Sequence, residues 1–175
     1  TGILLKEGFK PFFKAIKSKM HKMKPQVKYK ISEKQRETEQ NYAFEYAPKI
    51  SVVVPLYNTP VKYLKEMILS VQNQTYFNWE LCLADGSDNE HFSVKETVEE
   101  LQKNDNRIKY KKLAKNLGIS ENTNACIELS TGEYISLFDH DDLLHPSALF
   151  NVVKAINEEK ADFILHGHAN DFDDI

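Results

Sequence analysis

Residues 50–58 read Ile-Ser-Val-Val-Val-Pro-Leu-Tyr-Asn, a short apolar and β-branched run that ends at a proline. This run predicts a buried strand, because a half-buried strand would alternate apolar and polar residues. A second run of this kind covers residues 79–84 and stops at Asp85-Gly86-Ser87. A third covers residues 134–138 and is interrupted by Asp139. The three runs predict three strands of one sheet.

Helical patterns separate these strands along the chain. Leu64, Ile68 and Val71 share one face of a predicted helix over residues 61–74. Further helices are predicted over residues 90–103, 120–129 and 146–157, and further strands over residues 107–112, near a sheet edge, and 161–165. Alternating strands and helices predict an α/β fold, with a mostly parallel sheet and helices on both faces.

Three side chains in these helices carry their own expectations. Phe92 and Val98 are expected to face inward from the helix over residues 90–103. Ser120 is expected to be the N-cap of the helix that follows it, because serine oxygens accept hydrogen bonds from the first free N–H groups of a helix.

Composition excludes several classes of protein. The chain has 175 residues, of which 41% are hydrophobic and 28% charged, which fits one soluble domain or one domain with an arm. Its two cysteines, Cys82 and Cys126, are too few and too far apart for a disulfide framework or a zinc site, which favours the reducing cytoplasm. Its six glycines are too scattered for a dinucleotide or P-loop motif. No apolar run is long enough to span a membrane.

Charge is distributed unevenly. Residues 1–30 hold nine Lys and one Glu, whereas residues 50–175 hold eleven Lys and Arg against twenty-one Asp and Glu. We therefore expect a basic amphipathic helix over residues 1–24, a linker over residues 25–48 and an acidic domain over residues 49–175. An acidic domain is a poor partner for nucleic acid.

The basic helix has two interpretations. Its apolar residues recur every three or four positions, and lysines occupy its other faces. Such a helix can lie in a membrane interface, which would make this a peripheral protein at the inner face of the plasma membrane. It can equally pack on its own domain or on a second subunit. The sequence leaves both open.

Polar clusters follow three of the strands, and the carboxyl ends of parallel strands share one edge of the sheet. Asp139, Asp141 and Asp142 crowd three carboxylates into four residues. Their mutual repulsion needs compensation, and a hard divalent cation such as Mg²⁺ or Mn²⁺ supplies it. The alternative is a solvated acidic turn that caps the next helix. His140 is expected to support this cluster and not to be a metal ligand.

Two further side chains at this edge suit a nucleotide. Asp85 ends the second strand and can accept the imide N–H of a pyrimidine, although it can also be a plain turn residue before Gly86. Tyr57 follows the first strand and can stack on a base, although it can also pack in the core. Asn116-Leu117-Gly118 is a turn signal.

Residues 49–165 resemble the nucleotide-binding half of family-two inverting glycosyltransferases of the GT-A fold, of the type that builds bacterial cell-surface polysaccharides. Six pieces match in order, and together they make a specific signal. They are residues 50–58, residues 70–76 (Ser-Val-Gln-Asn-Gln-Thr-Tyr), Asp85-Gly86-Ser87, residues 116–125 (Asn-Leu-Gly-Ile-Ser-Glu-Asn-Thr-Asn-Ala), Thr131-Gly132-Glu133-Tyr134 and residues 139–144 (Asp-His-Asp-Asp-Leu-Leu).

The resemblance implies a function and a set of roles. The donor would be a nucleoside-diphosphate sugar with uracil as its base, and the acceptor a glycan or a lipid-linked glycan. Donor binding would use Pro55 and Tyr57 beside the base, Asp85 on its polar edge, Asn116, and Asp139 near the ribose or sugar. Asp141, in the DxD motif, would be the ligand of Mn²⁺ or Mg²⁺ at the diphosphate.

Two departures from the family pattern bear on activity. Ala84 precedes Asp85 where many relatives have a second acid. His166-Gly167-His168 follows the last predicted strand where close relatives have acids. We therefore expect a C-terminally truncated domain and identify no catalytic base. The alternative function is a nucleotide-sugar-binding module without turnover. Two other enzyme classes are disfavoured by residues 55–58, Pro-Leu-Tyr-Asn, which follow the first strand. A nucleotidyltransferase would need a glycine-rich loop there, and a DxD phosphatase would need an acid.

Overall fold

The computed structural model describes residues 30–164, so the predicted helix over residues 1–24 lies outside the described part. Five α-helices are described there, and they span Glu33–Gln40 (α1), Val61–Gln72 (α2), Ser93–Gln102 (α3), Ile119–Ile127 (α4) and Ala148–Glu159 (α5). Four strands span Ile50–Leu56 (β1), Trp79–Asp85 (β2), Ile108–Lys112 (β3) and Tyr134–Leu137 (β4), and a 3₁₀ helix spans Asn89–His91. None of these helices is both long enough and apolar enough to cross a bilayer.

The four strands form one parallel sheet in the order β3-β2-β1-β4. β1 pairs with β2 from Ile50 opposite Trp79 to Leu56 opposite Asp85, and it pairs with β4 from Ile50 opposite Tyr134. The predicted parallel α/β sheet is confirmed, with the strand near residues 107–112 at an edge as expected. Because the strands run in one direction, the loops after them lie along one edge of the sheet.

Both faces of β1 are buried, which explains why its sequence is apolar without alternation. Val52 and Val54 belong to the larger hydrophobic cluster, to which α2, α3 and α5 contribute. Val53 points the other way, into a smaller cluster that includes Cys82 on β2 and Cys126 on α4. Helices therefore pack on both faces of the sheet, as predicted.

The two edge strands expose different side chains. β3 carries Lys109, Lys111 and Lys112, whereas β4 exposes Ile135 and Leu137 to 46% and 67%. Within residues 30–164, the outer edge of β4 pairs with no strand. Helix α4 lies over β1 and β2, so these two apolar side chains stay uncovered.

Helix α1 lies inside the segment that was predicted to be a linker. Ser32 caps it by accepting a hydrogen bond from the N–H of Gln35, and Arg36 donates from Nη1 to the carbonyl of Asn73. Thr75 donates from Oγ1 to Glu39. No residue of α1 is buried. Polar contacts hold this helix against the domain. The spacing of apolar residues in the sequence therefore did not predict it.

Three local expectations are wrong. Residues 161–164 form no strand, and Leu165 lies beyond the described residues. Phe92 is 63% exposed, because α3 begins only at Ser93 and Phe92 precedes its first turn, whereas Val98 is buried as expected. Ser120 is not an N-cap, because α4 begins at Ile119 and Gly118 occupies the cap position.

A buried carboxylate joins the strands at their amino ends, away from the predicted site. Glu80 on β2 accepts hydrogen bonds from Ser51 on β1 and from Thr131, and forms salt bridges with Lys49 and Lys109. Burial alone would raise the pKa of Glu80, but the hydrogen bonds from Lys49, Thr131 and Lys109 outweigh it and hold the pKa well below its usual range.

Candidate functional site

A cavity of about 200 Å³ opens at the carboxyl ends of the strands. Its lining contains five of the six predicted site residues, namely Pro55, Tyr57, Asn116, Asp139 and Asp141, together with Leu56, Ile119, Asn122 and His140. A larger groove of about 470 Å³ lies between α1 and α5 and contains none of the predicted residues. Most of the site residues predicted from the sequence therefore line the smaller cavity.

Tyr57 stands on the rim of this cavity with 47% of its surface exposed, so its core-packing alternative is wrong. The next residue, Asn58, has a left-handed backbone with a φ of 50°, and its N–H donates to Ser87 Oγ at 2.8 Å. Its side chain exchanges two hydrogen bonds with Asp88, one from Asn58 Nδ2 at 2.9 Å and one from the Asp88 N–H at 3.1 Å. These bonds tie the loop after β1 to the loop after β2.

Asp88 also accepts hydrogen bonds from two side chains, those of Asn58 and His91. His91 Nδ1 lies 2.6 Å from Asp88 Oδ1, and this hydrogen bond, with the one from Asn58, lowers the pKa of Asp88 to about 2. No role was predicted for Asn58 or Asp88 from the sequence. The sequence did hold a signal for a tight turn at Asn58, which is an asparagine close after a predicted strand. Asparagine tolerates the left-handed conformation better than most residues.

Asp85 is the predicted residue that the structure does not place in the cavity lining. Its side chain is 1% exposed. Oδ1 accepts a hydrogen bond from the Ser87 N–H at 2.8 Å, and Oδ2 accepts one from the Tyr110 hydroxyl at 2.7 Å. Lys112 Nζ lies 3.7 Å from Oδ2. The turn role considered for Asp85 is therefore realised, and contact between Asp85 and a base stays a prediction.

The loop that contains Asn116 packs directly on the end of β2. A Cβ at Gly86 would lie 3.0 Å from the Asn116 Cα and 3.0 Å from Asn122 Nδ2, so glycine permits this close approach. Asn122 is 2% exposed and donates from Nδ2 to Asn116 Oδ1 at 2.9 Å. No role of its own was predicted for Asn122, because an asparagine that becomes buried early in a helix looks like any other polar residue in the sequence.

The acidic cluster follows β4 in a tight turn, in which the Asp142 N–H donates to the Asp139 carbonyl at 3.4 Å. Asp139 and Asp141 both line the cavity, and so does His140, whose Nδ1 is buried without a hydrogen-bond partner. No lysine or arginine is among the described residues of the lining. The described lining therefore presents two carboxylates and a histidine without a lysine or arginine.

This donor set fits one kind of metal site. Within residues 30–164, no three His, Cys, Asp or Glu side chains come together as a metal site, so a site built from three protein ligands is excluded there. Mg²⁺ and Mn²⁺ sites in nucleotide enzymes need only one or two carboxylates, because water and phosphate oxygens complete the coordination. Asp141 and Asp139 satisfy that smaller requirement.

Proteins similar to this chain in sequence are named as glycosyltransferases. A β-1,3-glucosyltransferase of Campylobacter jejuni, named for GalNAc(5)-diNAcBac-PP-undecaprenol, is 38% identical over 113 residues, which are 63% of this chain and 35% of that protein. The poly(ribitol-phosphate) β-N-acetylglucosaminyltransferase TarP of Staphylococcus aureus is 34% identical over 120 residues, 67% of this chain and 36% of that protein. This chain thus spans about a third of the length of either relative.

A solved structure shows the same architecture. Residues 1–349 of S. aureus TarS, in complex with UDP-GlcNAc, match with a TM-score of 0.58 and 26% identity, covering 65% of this chain and 32% of that one. The predicted GT-A fold is thereby confirmed. Residues 51–175 match the family model described as Glycosyl transferase family 2, which is more than half of the sequence, and the chain therefore belongs to glycosyl transferase family 2.

Proposed function

We propose that this chain holds the donor-binding part of an inverting glycosyltransferase, which transfers a sugar from a UDP-sugar to a glycan or lipid-linked acceptor. The observation that carries this proposal is the cavity at the carboxyl ends of the strands, which places Tyr57 and two carboxylates, Asp139 and Asp141, around one space. Membership of glycosyl transferase family 2 and the UDP-GlcNAc complex of TarS support it.

Base recognition is assigned to the side of the cavity formed by the loop after β1. Tyr57 offers an exposed aromatic face on which a base can stack, and Pro55 borders the same space. Asp85 is buried at the end of β2, opposite Leu56, and its carboxylate accepts hydrogen bonds from the Ser87 N–H and the Tyr110 hydroxyl. Contact between a base and Asp85 would require its surroundings to move, because its side chain is 1% exposed.

Diphosphate binding is assigned to the opposite side, at the turn after β4. A diphosphate beside Asp139 and Asp141 would be repelled by two carboxylates, and the described lining has no lysine or arginine to offset that repulsion. We therefore propose that Asp141 holds Mn²⁺ or Mg²⁺, with Asp139 directed to the ribose or sugar. When bound, the metal would stabilise the negative charge that develops on the leaving diphosphate.

The proposed reaction is an in-line displacement with inversion. The acceptor hydroxyl forms a bond to the anomeric carbon while the bond from that carbon to the diphosphate oxygen breaks. The hydroxyl proton passes to a carboxylate base, for which we assign no residue in this chain. Because the chain spans about a third of its relatives, we expect it to bind the donor and to transfer little sugar by itself.

Calorimetric titration with UDP tests this proposal. We expect binding in the presence of Mn²⁺, loss of binding when a chelator is added, and weaker binding of GDP. A chain that binds no UDP with either metal would contradict the proposed donor site. UDP binding that is unaffected by the chelator would contradict the metal role alone. Robust sugar transfer by the purified chain would contradict the module without turnover and require a base within it.

We further propose peripheral membrane contact through residues 1–24. Residues 1–29 hold eight Lys and one Glu, whereas residues 30–164 hold fifteen Lys and Arg against twenty-two Asp and Glu. An acidic domain gains little by approaching an anionic surface, so the basic segment is the part suited to that contact. The Campylobacter relative, which is named for a PP-undecaprenol-linked glycan, supports an acceptor at a membrane.

A further inference from the structure

Asn122 and Asn116 form a hydrogen-bonded pair in the lining of the cavity, and the proposed function uses only Asn116. Asn122 is buried, with 2% of its surface exposed, and its Nδ2 lies 2.9 Å from Asn116 Oδ1. Asn116 is exposed at the same cavity. A buried amide behind an exposed one suggests that the inner residue determines how the outer one is presented.

Backbone N–H groups fix the direction of both side-chain amides. The Gly118 N–H donates to Asn116 Oδ1 at 3.0 Å, and the Leu117 N–H donates to Asn122 Oδ1 at 3.3 Å. A backbone N–H can only donate, so an amide oxygen must accept each of these bonds. The NH₂ group of Asn122 therefore faces Asn116. Asn116 Oδ1 accepts two hydrogen bonds, which leaves Nδ2 as the atom of this side chain that can donate to a bound molecule.

The surroundings of Asn122 keep it in this position. Its own N–H donates to the Gly118 carbonyl at 3.0 Å, in the first turn of α4. Gly118 has a φ of 90°, a conformation that glycine adopts without strain. Gly86 packs against both asparagines so closely that a Cβ there would meet each of them at 3.0 Å. The pair is thus built into the junction between the loop after β2 and the start of α4.

We infer that Asn122 is a positioning residue for donor binding, which holds Asn116 so that Asn116 Nδ2 donates to an oxygen of the bound nucleoside-diphosphate sugar. This inference rests on the proposed function for the identity of the ligand. In a lining without lysine or arginine, neutral donors such as Asn116 supply contacts to phosphate and hydroxyl oxygens. Asn122 acts through Asn116 and touches no reacting atom.

Asn122→Asp is the variant that tests this role, because it keeps the shape and replaces the NH₂ group by an oxygen that faces Asn116 Oδ1. We expect UDP affinity in the presence of Mn²⁺ to fall about tenfold, the scale of one hydrogen bond of about 1.4 kcal/mol. In an Asn116→Ala background, the same substitution should change the affinity less than about twofold, because the residue it acts through is gone. Asn151→Asp on the exposed side of α5 is the matched control.

The double variant separates positioning from charge. If Asn122→Asp weakens UDP binding equally with and without Asn116, the added negative charge acts directly and the inference is overturned. Urea unfolding checks that each variant is folded.

A measurement without ligand keeps the inference independent of the proposed function. The side-chain NH₂ resonances of Asn116, followed by ¹⁵N NMR, should move in Asn122→Asp and stay in place in Asn151→Asp. Unchanged Asn116 resonances would overturn the inference even if the parent protein binds no UDP. Failure of the parent protein to bind UDP, with moved resonances, would contradict only the proposed donor.

Discussion

The hydroxyl of Tyr110 donates a 2.7 Å hydrogen bond to Asp85 Oδ2, so the edge strand β3 holds the carboxylate that ends β2. Burial and this bond to Asp85 raise the pKa of Tyr110, so the hydroxyl keeps its proton and remains a donor. The orientation of Asp85 therefore depends on a neighbouring strand as well as on its own loop.

Tyr110→Phe should lower the free energy of unfolding by about 1–3 kcal/mol, because the buried Asp85 Oδ2 loses its hydrogen bond and keeps only the longer ion pair with Lys112. Urea unfolding measures this loss. Tyr46→Phe is a matched control, since Tyr46 makes a 2.7 Å hydrogen bond to Glu133 at an exposed position, where water replaces the lost partner. Equal losses in the two variants would show that the burial of Asp85 has no energetic weight.

Tyr57→Ala should weaken UDP binding by about 1–3 kcal/mol, the usual contribution of an aromatic ring stacked on a base. The free energy of unfolding should hardly change, because Tyr57 is 47% exposed. Tyr63→Ala provides the control, since Tyr63 is 45% exposed on α2 and is absent from the cavity lining. Calorimetry would reject the stacking role if both variants bound UDP as the parent does.

Asp141→Ala should weaken UDP binding in the presence of Mn²⁺ by about 2–4 kcal/mol, the scale for removing an electrostatic stabiliser. With chelator present, the variant should bind no more weakly than the parent, because it lacks one of the carboxylates that repel the diphosphate. Asp162→Ala, at an exposed aspartate away from the cavity, should match the parent in both conditions. Retained Mn²⁺ dependence in Asp141→Ala would move the metal role to another residue.

Glu80→Gln should lower the free energy of unfolding near neutral pH by about 1.5–3 kcal/mol, since hydrogen bonds to a charged group are lost. The pKa of Glu80 in the folded protein lies below its usual value of 4.5, so the unfolded chain takes up the proton more readily. The stabilisation is therefore complete above that value and declines as the pH falls below it.

The pH profile of unfolding tests this sign. The difference between the parent and Glu80→Gln should be largest above about pH 6 and shrink towards pH 3. Glu128→Gln is the surface control, because Glu128 pairs with Lys111 at 69% exposure, and it should change stability by less than about 1 kcal/mol at any pH. A difference that grows on acidification would contradict the assignment.

Removal of residues 1–29 should reduce co-sedimentation with anionic vesicles, since each lysine near such a surface contributes about 1 kcal/mol. The shortened chain should begin at Lys30 so that α1 keeps its contacts with Asn73 and Thr75. Sedimentation of the parent should fall with added salt and with neutral lipid. If both chains sedimented alike, the basic segment would be assigned to packing on protein.

The parallel sheet was predictable because a strand that is buried on both faces has apolar residues without polar alternation, as β1 does. The convergence of Tyr57, Asn116 and Asp141 followed from topology, since loops after parallel strands share one edge. Helix α1 was not predictable from periodicity, because side-chain bonds to residues about forty positions away hold it in place.

Parts of the site depend on contacts that no local pattern encodes. Asp85 is a turn-forming aspartate in sequence, and its buried carboxylate is hydrogen-bonded to Tyr110 on a strand that begins more than twenty residues later. Asn122 gains its partner Asn116 only through the turn at Gly118. The residue types at the cavity were readable in the sequence, whereas their supporting residues needed the packed structure.

The contrast between the two sheet edges affects how this chain behaves at high concentration. β3 carries three lysines, and charged side chains along an edge strand are one way in which natural sheets avoid pairing edge to edge. Within residues 30–164, the outer edge of β4 pairs with no strand and lies beside the exposed side chains of Ile135 and Leu137. If copies of residues 30–164 self-associate through their sheets, we expect contact to begin at the edge formed by β4. The edge formed by β3 should not pair with a second copy.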